Sequence, residues 1–447
     1  MMPFSSQKDN NSNFDDQYID LLGSKSIINR LLTICLYRNI NFTIKNFNLC
    51  NDVIEFLNIY NNFHKPYIHS QNDNSLFIQQ TSKPFEITET IFLTINESGT
   101  TLRFILPFIA FYKHTNNLKS EYLSIITLGN VLKTRPIDSL IQCLNDAGAN
   151  IEKIDDKIFI KPFINNSKSL KFEIDSSESS QFLSSLLLFS ANQNFKIFIK
   201  SYNNIASKSY VKTTIKILKI LNIDTSLCFY QYAYQANESL LNNNNEFICD
   251  PDYSTAPYLF IIGLMTNKKI FIKQSINRLQ PDYSFRTTLT KLNCKKINSN
   301  HYYCFLQSTI KEVSDLPLVF DFNYMPDQII SLAFLSVLLN KEVIIKGIQT
   351  LNQKESKRVN AIIENIKLLG SNAISYGHYI HIIPSTNFPA KCYLKTYNDH
   401  RFAMIFVAMQ LISKINGNLP EIFIDNTDCI KKSYPNFLTI LKSLKFN

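Results

Sequence analysis

Hydroxyl groups and cations recur together in four short stretches of this chain: LGSKSIINR (Leu22–Arg30), NESGTTLR (Asn96–Arg103), SESSQF (Ser177–Phe182) and YNDHR (Tyr397–Arg401). In each, the polar run leads into an apolar pattern of helical period, so it falls at a helix N-terminus. Free backbone N–H groups and the positive end of the helix dipole make such a terminus a receptor for anions. Lys25, Ser26, Arg30, Arg103, Ser179, Ser180, His400 and Arg401 add cations and hydroxyls at these termini. Taken singly, each stretch reads as an ordinary N-cap or a surface charge. Four together predict a ligand with more than one anionic group. The GSK run is not a nucleotide phosphate loop, because the required upstream glycine is missing.

Three further segments place carboxylates and cations in unusual company. DFNYMPDQ sets Asp327 just after Pro326, a position that starts helices. KESKR packs Glu355 between Lys354 and, one turn on, Arg358. KKSYP brings Lys431 and Lys432 to a turn near the end of the chain. Alone these are a capped helix, a solvated charged helix and a basic turn.

These groups need a scaffold, and apolar periodicity supplies one. Ile27, Leu31, Ile34 and Cys35 mark one face of a helix over about 25–38. Similar patterns predict helices near 51–60, 99–112, 136–147, 178–190, 208–221, 254–265, 282–292, 326–339, 356–369, 399–413 and 434–443. Short β-branched and aromatic runs lie between them, such as Lys157–Ile160, Phe195–Lys200, Lys269–Lys273, Glu342–Lys346 and Tyr379–Ile383. This alternation predicts an α/β, or mixed α+β, fold with a repeated unit. The first thirteen residues and the Asn242–Asn245 run read as solvated, low-complexity segments.

Composition bounds the function. With 447 residues, 45% apolar and 13% aromatic, the chain can bury a large core and is expected to form roughly two to four domains. No apolar run has the length of a membrane span, Met1–Asn10 lacks a signal-peptide core, and the nine cysteines form no Cys-x-x-Cys pair. A cytoplasmic protein without a metal site is expected. The net charge of +10 comes with a general drift toward Lys and Asn, so it is weak support for a nucleic-acid partner. Arginine is scarce, eight in all, and five of the eight (Arg30, Arg103, Arg135, Arg358 and Arg401) fall in the polar segments.

Together the segments resemble the 5-enolpyruvylshikimate-3-phosphate synthase family, the 3-phosphoshikimate 1-carboxyvinyltransferases, in order from Leu22 to Phe437. GSKSIINR looks like the family's GSKSxxxR, and ESGTTLRFILP like its (N/E)(A/S)GTxxR segment. GNVLKTRP (Gly129–Pro136) resembles GxxxLxxRP, SESSQF resembles SxxSSQ(F/Y), and SKSY (Ser207–Tyr210) the SxPY helix start. DPDYSTA, DFNYMPD, KESKR, YNDHR and KKSYP complete the set. Leu22 stands where the family usually has Pro, Ser209 replaces the Pro of SxPY, Lys357 the Asp of KE(S/T)DR, and Thr350 a frequent Asn. Lys357 in that place calls one local ion pair around Arg358 into question.

The resemblance implies a two-lobed, inside-out α/β barrel of six βαβαββ units, three per lobe. Residues 23–249 would form one lobe, residues 1–22 and 250–447 the other, with 1–13 a flexible extension. The implied reaction moves the enolpyruvyl group of phosphoenolpyruvate to the 5-hydroxyl of shikimate 3-phosphate, releasing phosphate, in aromatic amino acid biosynthesis. It implies Asp327 as base, Glu355 as acid toward the methylene carbon, and Lys25 as bridge between the substrates. Shikimate 3-phosphate falls to Lys25, Ser26, Arg30, Ser179, Ser180, Ser207, Asp327, Thr350 and Lys354. Phosphoenolpyruvate falls to Lys25, Gly99, Arg135, Gln181, Arg358, Arg401 and Lys432, the site that glyphosate is expected to occupy. No cofactor, nucleic acid or membrane is expected, and the enzyme is expected to act as a monomer. Two other readings are a UDP-N-acetylglucosamine enolpyruvyl transferase, whose loop cysteine has no counterpart here, and a non-catalytic anion-binding relative.

Overall fold

The computed structural model describes residues 16–38, 40–63, 66–81, 87–112, 118–163, 169–190, 196–223, 227–228, 231–234, 245–308 and 316–446. The amino-terminal thirteen residues and Asn242–Asn244 lie outside them. Among the described residues there are thirteen α-helices: α1 (Lys25–Tyr37), α2 (Asn51–Asn62), α3 (Gly99–Ala110), α4 (Asn130–Lys133), α5 (Asp138–Asp146), α6 (Ser180–Ser190), α7 (Lys208–Ile220), α8 (Ala256–Thr266), α9 (Phe285–Lys291), α10 (Ile329–Leu338), α11 (Arg358–Leu368), α12 (His400–Asn416) and α13 (Phe437–Ser443). All twelve helices expected from periodicity are present. The four-residue α4, too short to show a period, is the addition. Where Pro281 and Pro326 lead, the chain first makes a 3-10 turn (Pro281–Ser284, Pro326–Gln328), so α9 and α10 begin about three residues later than the pattern predicts.

Five four-stranded sheets share one order. In each, a parallel pair is extended by two antiparallel strands, as in Ile91–Ile95, Ser124–Leu128, Lys157–Ile160 and Ile151–Ile154. A sixth, two-stranded sheet pairs Lys391–Leu394 with Glu421–Ile424 in parallel. None of the six closes on itself among the described residues. Two sheets take a strand from far along the chain. Gln17–Ile19 pairs with Ile270–Ile272, and Glu246–Ile248 pairs with Thr43–Lys45.

Two hydrophobic cores result. One gathers Ile27 through Cys249 together with Leu279; the other gathers Leu21 and Tyr253 through Leu444. α1, α3 and α6 run through the first, α8, α10 and α12 through the second, and most of their residues are buried. A helix apolar on all sides can sit only inside a core. The polar segments lie at or near the amino-terminal ends of such helices. The chain passes between cores at Gly23 and Cys249–Tyr253, which bridge at Gly23 and Pro251. A Cβ on Gly23 would stand 2.1 Å from the Asn46 carbonyl oxygen and 2.7 Å from Cys249 Cβ. Only glycine lets the two passages lie side by side.

Candidate active site

Helix N-termini from both cores line one cleft. The first core presents Lys25, Ser26 and Arg30 of α1, Gly99 of α3, Arg135, Ser179, Ser180 and Gln181 of α6, and Ser207 at the head of α7. The second presents Asp327, Thr350, Lys354, Glu355, Arg358 and Arg401. Of the residues expected from sequence, only Lys432 falls outside this lining. It is buried beside it, donating to the Glu97 carbonyl at 3.1 Å, and it still acts electrostatically on Glu355.

The two walls differ in how they hold charge. On the first, Arg30 gives its hydrogens to neutral oxygens: Nε to Thr214 Oγ1 at 2.8 Å, Nη1 to the Ser26 carbonyl at 2.7 Å, Nη2 to the Tyr210 carbonyl at 3.2 Å. Arg103 likewise bonds the Pro136 carbonyl and Gln181 Oε1. Neither makes an ion pair among the described residues, and burial pushes them down to about 10 and about 9 respectively. Charges left uncompensated in this way favour an incoming anion. Lys25 is paired with the buried Asp52 at 2.7 Å. Burial pushes its ammonium down, but Asp52, Cys50 and Glu355 outweigh that and keep it above its ordinary value.

On the second wall the carboxylates of Asp327, Glu355 and Asp399 are held by cations. Arg358, 1% exposed, donates Nε to Asp399 at 2.8 Å, Nη1 to Asp327 at 2.8 Å and Nη2 to Glu355 at 2.7 Å. Arg401 reaches Asp327 at 3.0 Å, and Arg135 crosses from the other wall to within 3.5 Å of Glu355. Burial raises Asp327, yet Arg401, Lys354 and Arg358 hold it well below the carboxylate range. Burial also raises Glu355, and Arg135, Arg358 and Lys432 hold it well below as well. His400 is buried, and its Nδ1 has no hydrogen-bond partner among the described residues. Its Nδ1 lies 3.8 Å from Asp399, close enough to suggest an ion pair, but burial, Lys25 and Arg401 keep the ring neutral. Arg135 Nε and Arg401 Nε and Nη1 are buried donors without an acceptor among the described residues, set around the same space.

Only some of the hydroxyls at these termini are tied up as caps; Ser179 Oγ, ahead of α6, accepts from Gln181 N at 3.3 Å. Ser98 and Asp399 do cap, accepting from Thr101 N and Arg401 N. Ser24 and Ser207, at the heads of α1 and α7, make no such bond, and Ser207 sits at φ 49. The departures from the family pattern are accommodated. The N–H of Leu22, absent from a proline, donates to Tyr434 Oη at 2.7 Å. The Ser209 hydroxyl donates to the Tyr324 carbonyl. Arg358 keeps three carboxylate partners with Lys357 in place, so the ion pairs around it do not need an aspartate there.

Several members of the site carry no sequence signal. Asp52, Asp399, Tyr210, Asp282 and Gln328 read as ordinary residues, yet Asp52 holds Lys25 and Asp399 holds Arg358. Glu55, on the exposed side of α2, accepts from the backbone N–H groups of Asn96, Glu97 and Ser98 and so sets the loop before Gly99. In hindsight Asp399 inside YNDHR, Gln328 inside DFNYMPDQ and Tyr210 inside SKSY lay within segments already marked, whereas Asp52, Glu55 and Asp282 did not.

A cleft with unpaired arginines on one wall and cation-bound carboxylates on the other suits anionic ligands. The family model described as EPSP synthase (3-phosphoshikimate 1-carboxyvinyltransferase) matches residues 16–441. The 3-phosphoshikimate 1-carboxyvinyltransferase of Buchnera aphidicola subsp. Cinara cedri is 29% identical over 428 residues, covering 94% of this chain and 92% of that protein. That of Haemophilus influenzae (strain PittEE) is 27% identical, with 94% of each covered. In fold alone, the EPSP synthase of Acinetobacter baumannii superposes with a TM-score of 0.70 at 14% identity, over 97% of this chain and 96% of that one. The enolpyruvyl transferase NikO of Streptomyces tendae gives 0.67 at 12% identity, over 96% and 94%. The chain belongs to the EPSP synthase family. It is an enzyme of the shikimate pathway that transfers the enolpyruvyl group of phosphoenolpyruvate to the 5-hydroxyl of shikimate 3-phosphate, releasing phosphate.

Proposed function

We propose that Asp327 is the base and Glu355 the acid of this transfer, with Lys25 between the two substrates. The observation that carries this reading is their meeting at Arg358, 2.8 and 2.7 Å away, opposite Lys25 and Arg135. Shikimate 3-phosphate is held by Lys25, Ser26, Arg30, Ser179, Ser180, Ser207, Asp327, Thr350 and Lys354. Phosphoenolpyruvate is held by Lys25, Gly99, Arg135, Gln181, Arg358, Arg401 and Lys432. Holding both anions in one cleft removes much of the entropic barrier.

The acid must carry a proton, and cations keep Glu355 ionised in the free enzyme. Phosphoenolpyruvate brings a phosphate and a carboxylate to Arg135, Arg358, Arg401 and Lys432. With those charges neutralised, burial, the largest influence on Glu355, raises it toward the protonated form. Glu355 then protonates the methylene carbon. The 5-hydroxyl oxygen attacks the resulting cationic carbon while Asp327 takes its proton. In the second half Glu355 recovers a proton from the new methyl group, the C–O bond to phosphate breaks, and Lys25 stabilises the departing phosphate, which takes the proton from Asp327.

The same reading extends to architecture. The two cores are the hearts of two lobes, 23–249 and 1–22 with 250–447, and the six sheets mark six units of an inside-out barrel that closes around substrate. No helix among the described residues is long and apolar enough to cross a membrane. We take the enzyme to work as a cytoplasmic monomer on small anions.

Asp327→Asn tests the central assignment. The amide keeps the shape but cannot take a proton, so turnover falls by about 10²–10⁴ while shikimate 3-phosphate still binds. Near-normal turnover in the pure variant removes Asp327 from the base role.

A further inference from the structure

Asp282 lies 1% exposed on the turn Pro281–Ser284, in sequence far from every residue assigned above. Its two oxygens serve opposite cores. Oδ2 accepts from the Tyr210 hydroxyl of α7 at 2.9 Å, and Oδ1 accepts from Gln328 Nε2 at 2.7 Å. Gln328 is the residue after Asp327, so whatever fixes it fixes the backbone that carries the base. It is locked throughout: Nε2 also donates to the Ser254 carbonyl at 3.2 Å, and Oε1 accepts from Ser331 Oγ at 2.9 Å. Tyr210, for its part, lines the cleft, and its carbonyl accepts from Arg30.

The segment leading to Asp282 is itself anchored at both ends. Asp250, in the passage between cores, accepts from the N–H groups of Asn277 and Leu279 at 3.3 and 3.2 Å. Gln280 bonds Asp252 at 3.0 Å and the N–H of Tyr253 at 2.7 Å. On the other side, Leu279 is buried in the first core, and its carbonyl accepts from Thr213 of α7 at 2.7 Å. An arm of the second half is thus clamped onto the helix that starts at Ser207.

We propose that Asp282 is a positioning residue that joins α7, through Tyr210, to Asp327, through Gln328, so that the substrate-bearing wall sets the placement of the base. The inference rests on the assignment of Asp327 above. A carboxylate suits the task because it alone accepts from both donors at once; an apolar residue leaves the Tyr210 hydroxyl and one Gln328 hydrogen without partners. Burial raises Asp282, against Arg401, which favours its ionised form. It stands near Asp327 and Arg401, so its effect is on the geometry and field around the base rather than on substrate directly.

The test uses the full-length enzyme with shikimate 3-phosphate and phosphoenolpyruvate, and reads kcat and KM per folded site. Asp282→Ala is expected to lower kcat by about tenfold or more, with KM for phosphoenolpyruvate within about threefold. Asp282→Asn keeps an oxygen for Gln328 but sets an amide nitrogen against the Tyr210 hydroxyl, so it is expected to recover only part of that loss. Tyr210→Phe combined with Asp282→Ala is expected to cost no more in kcat than Asp282→Ala alone, because the two share one bond. Unchanged kcat in Asp282→Ala, a loss confined to melting temperature, or independent losses in the double variant overturns the proposal. If the alanine variant does not fold, the isosteric Asn and Phe variants decide it: each must lower kcat, and their effects must not multiply. Asp327→Asn is measured alongside. If that variant turns over normally the base assignment falls; if it fails while Asp282→Ala is normal, only the positioning role falls.

Discussion

Arg30 and Arg103, on the amino-terminal wall of the cleft, give their hydrogens to carbonyls, a hydroxyl and an amide, whereas Arg358 and Arg401, on the other wall, hold carboxylates at 2.7–3.0 Å. The first wall waits for negative charge from outside. The second supplies its own, and substrate must take over cations that already have partners. This division explains why the hydroxyls and unpaired arginines gather around α1, α3, α6 and α7. On the proposed mechanism the carboxylates of the second wall are the reacting groups, while those lining the first, Asp52 and Glu178, are bonded to Lys25 and Ser139. It also predicts that stability and catalysis are separable on one wall and fused on the other.

The largest effect is expected where three carboxylates depend on one buried cation. Arg358→Ala leaves Asp327, Glu355 and Asp399 mutually repelling, and costs about 3–5 kcal/mol of stability, the usual range for breaking a buried pair. Lys25→Met on the first wall is expected to lower turnover strongly too, but it strands one buried carboxylate, Asp52, instead of three, and so costs less stability than Arg358→Ala. Denaturant unfolding of the two variants measures the difference. Equal losses would erase the distinction between the walls.

A second effect is a pH slope. His400 stays neutral in the folded enzyme well below its ordinary 6.5, while in the unfolded chain it takes a proton there. The unfolded state therefore binds more protons as pH falls from 6.5, and stability drops by about 1.4 kcal/mol per pH unit for this one group. Asp327 and Glu355 act in another window. Their depressed values add stability that is present above the ordinary carboxylate range, near pH 4, and is lost only below it. Between pH 6.5 and 5 the slope thus belongs to His400, and His400→Gln is expected to flatten it. A slope that survives the substitution would show that the ring is not held neutral by its burial on this wall.

The same contrast shows what a sequence can reveal. The buried helices were legible because apolar residues repeat through them, and the anion-binding termini because cations and hydroxyls sit at their heads. Arg358 and Glu355 were legible as neighbours in KESKR. Asp52, Glu55 and Asp282 were not, since each is a single polar residue whose partner lies across a core or between cores. Gln17–Ile19 pairs with a strand some 250 residues away, and no local pattern announces such a partner. Local physics writes itself into spacing; support from a distance does not.

The smallest effect is expected at Gly99, on the first wall. Its backbone is not in the left-handed region, so alanine brings no conformational strain, and at a helix start it is favoured over glycine by up to about 1 kcal/mol. What the methyl meets is side chain. A Cβ would lie 3.0 Å from Arg135 Nη1 and 3.2 Å from Arg103 Nη1. Arg135 yields easily, because its Nε is unpartnered and its one carboxylate, Glu355, is 3.5 Å away. Gly99→Ala should therefore leave stability unchanged or slightly raised and kcat nearly intact. KM for phosphoenolpyruvate should rise by about three- to tenfold, equivalent to roughly 0.7–1.4 kcal/mol, as Arg135 is pushed off its place. Glyphosate, if it reaches further toward Gly99 than the substrate does, should lose more: its inhibition constant should rise by the larger factor. Measuring both constants in both proteins separates the cases. Equal factors mean that the inhibitor comes no closer to Gly99 than the substrate, and an unchanged KM means that Arg135 does not hold phosphoenolpyruvate from this position.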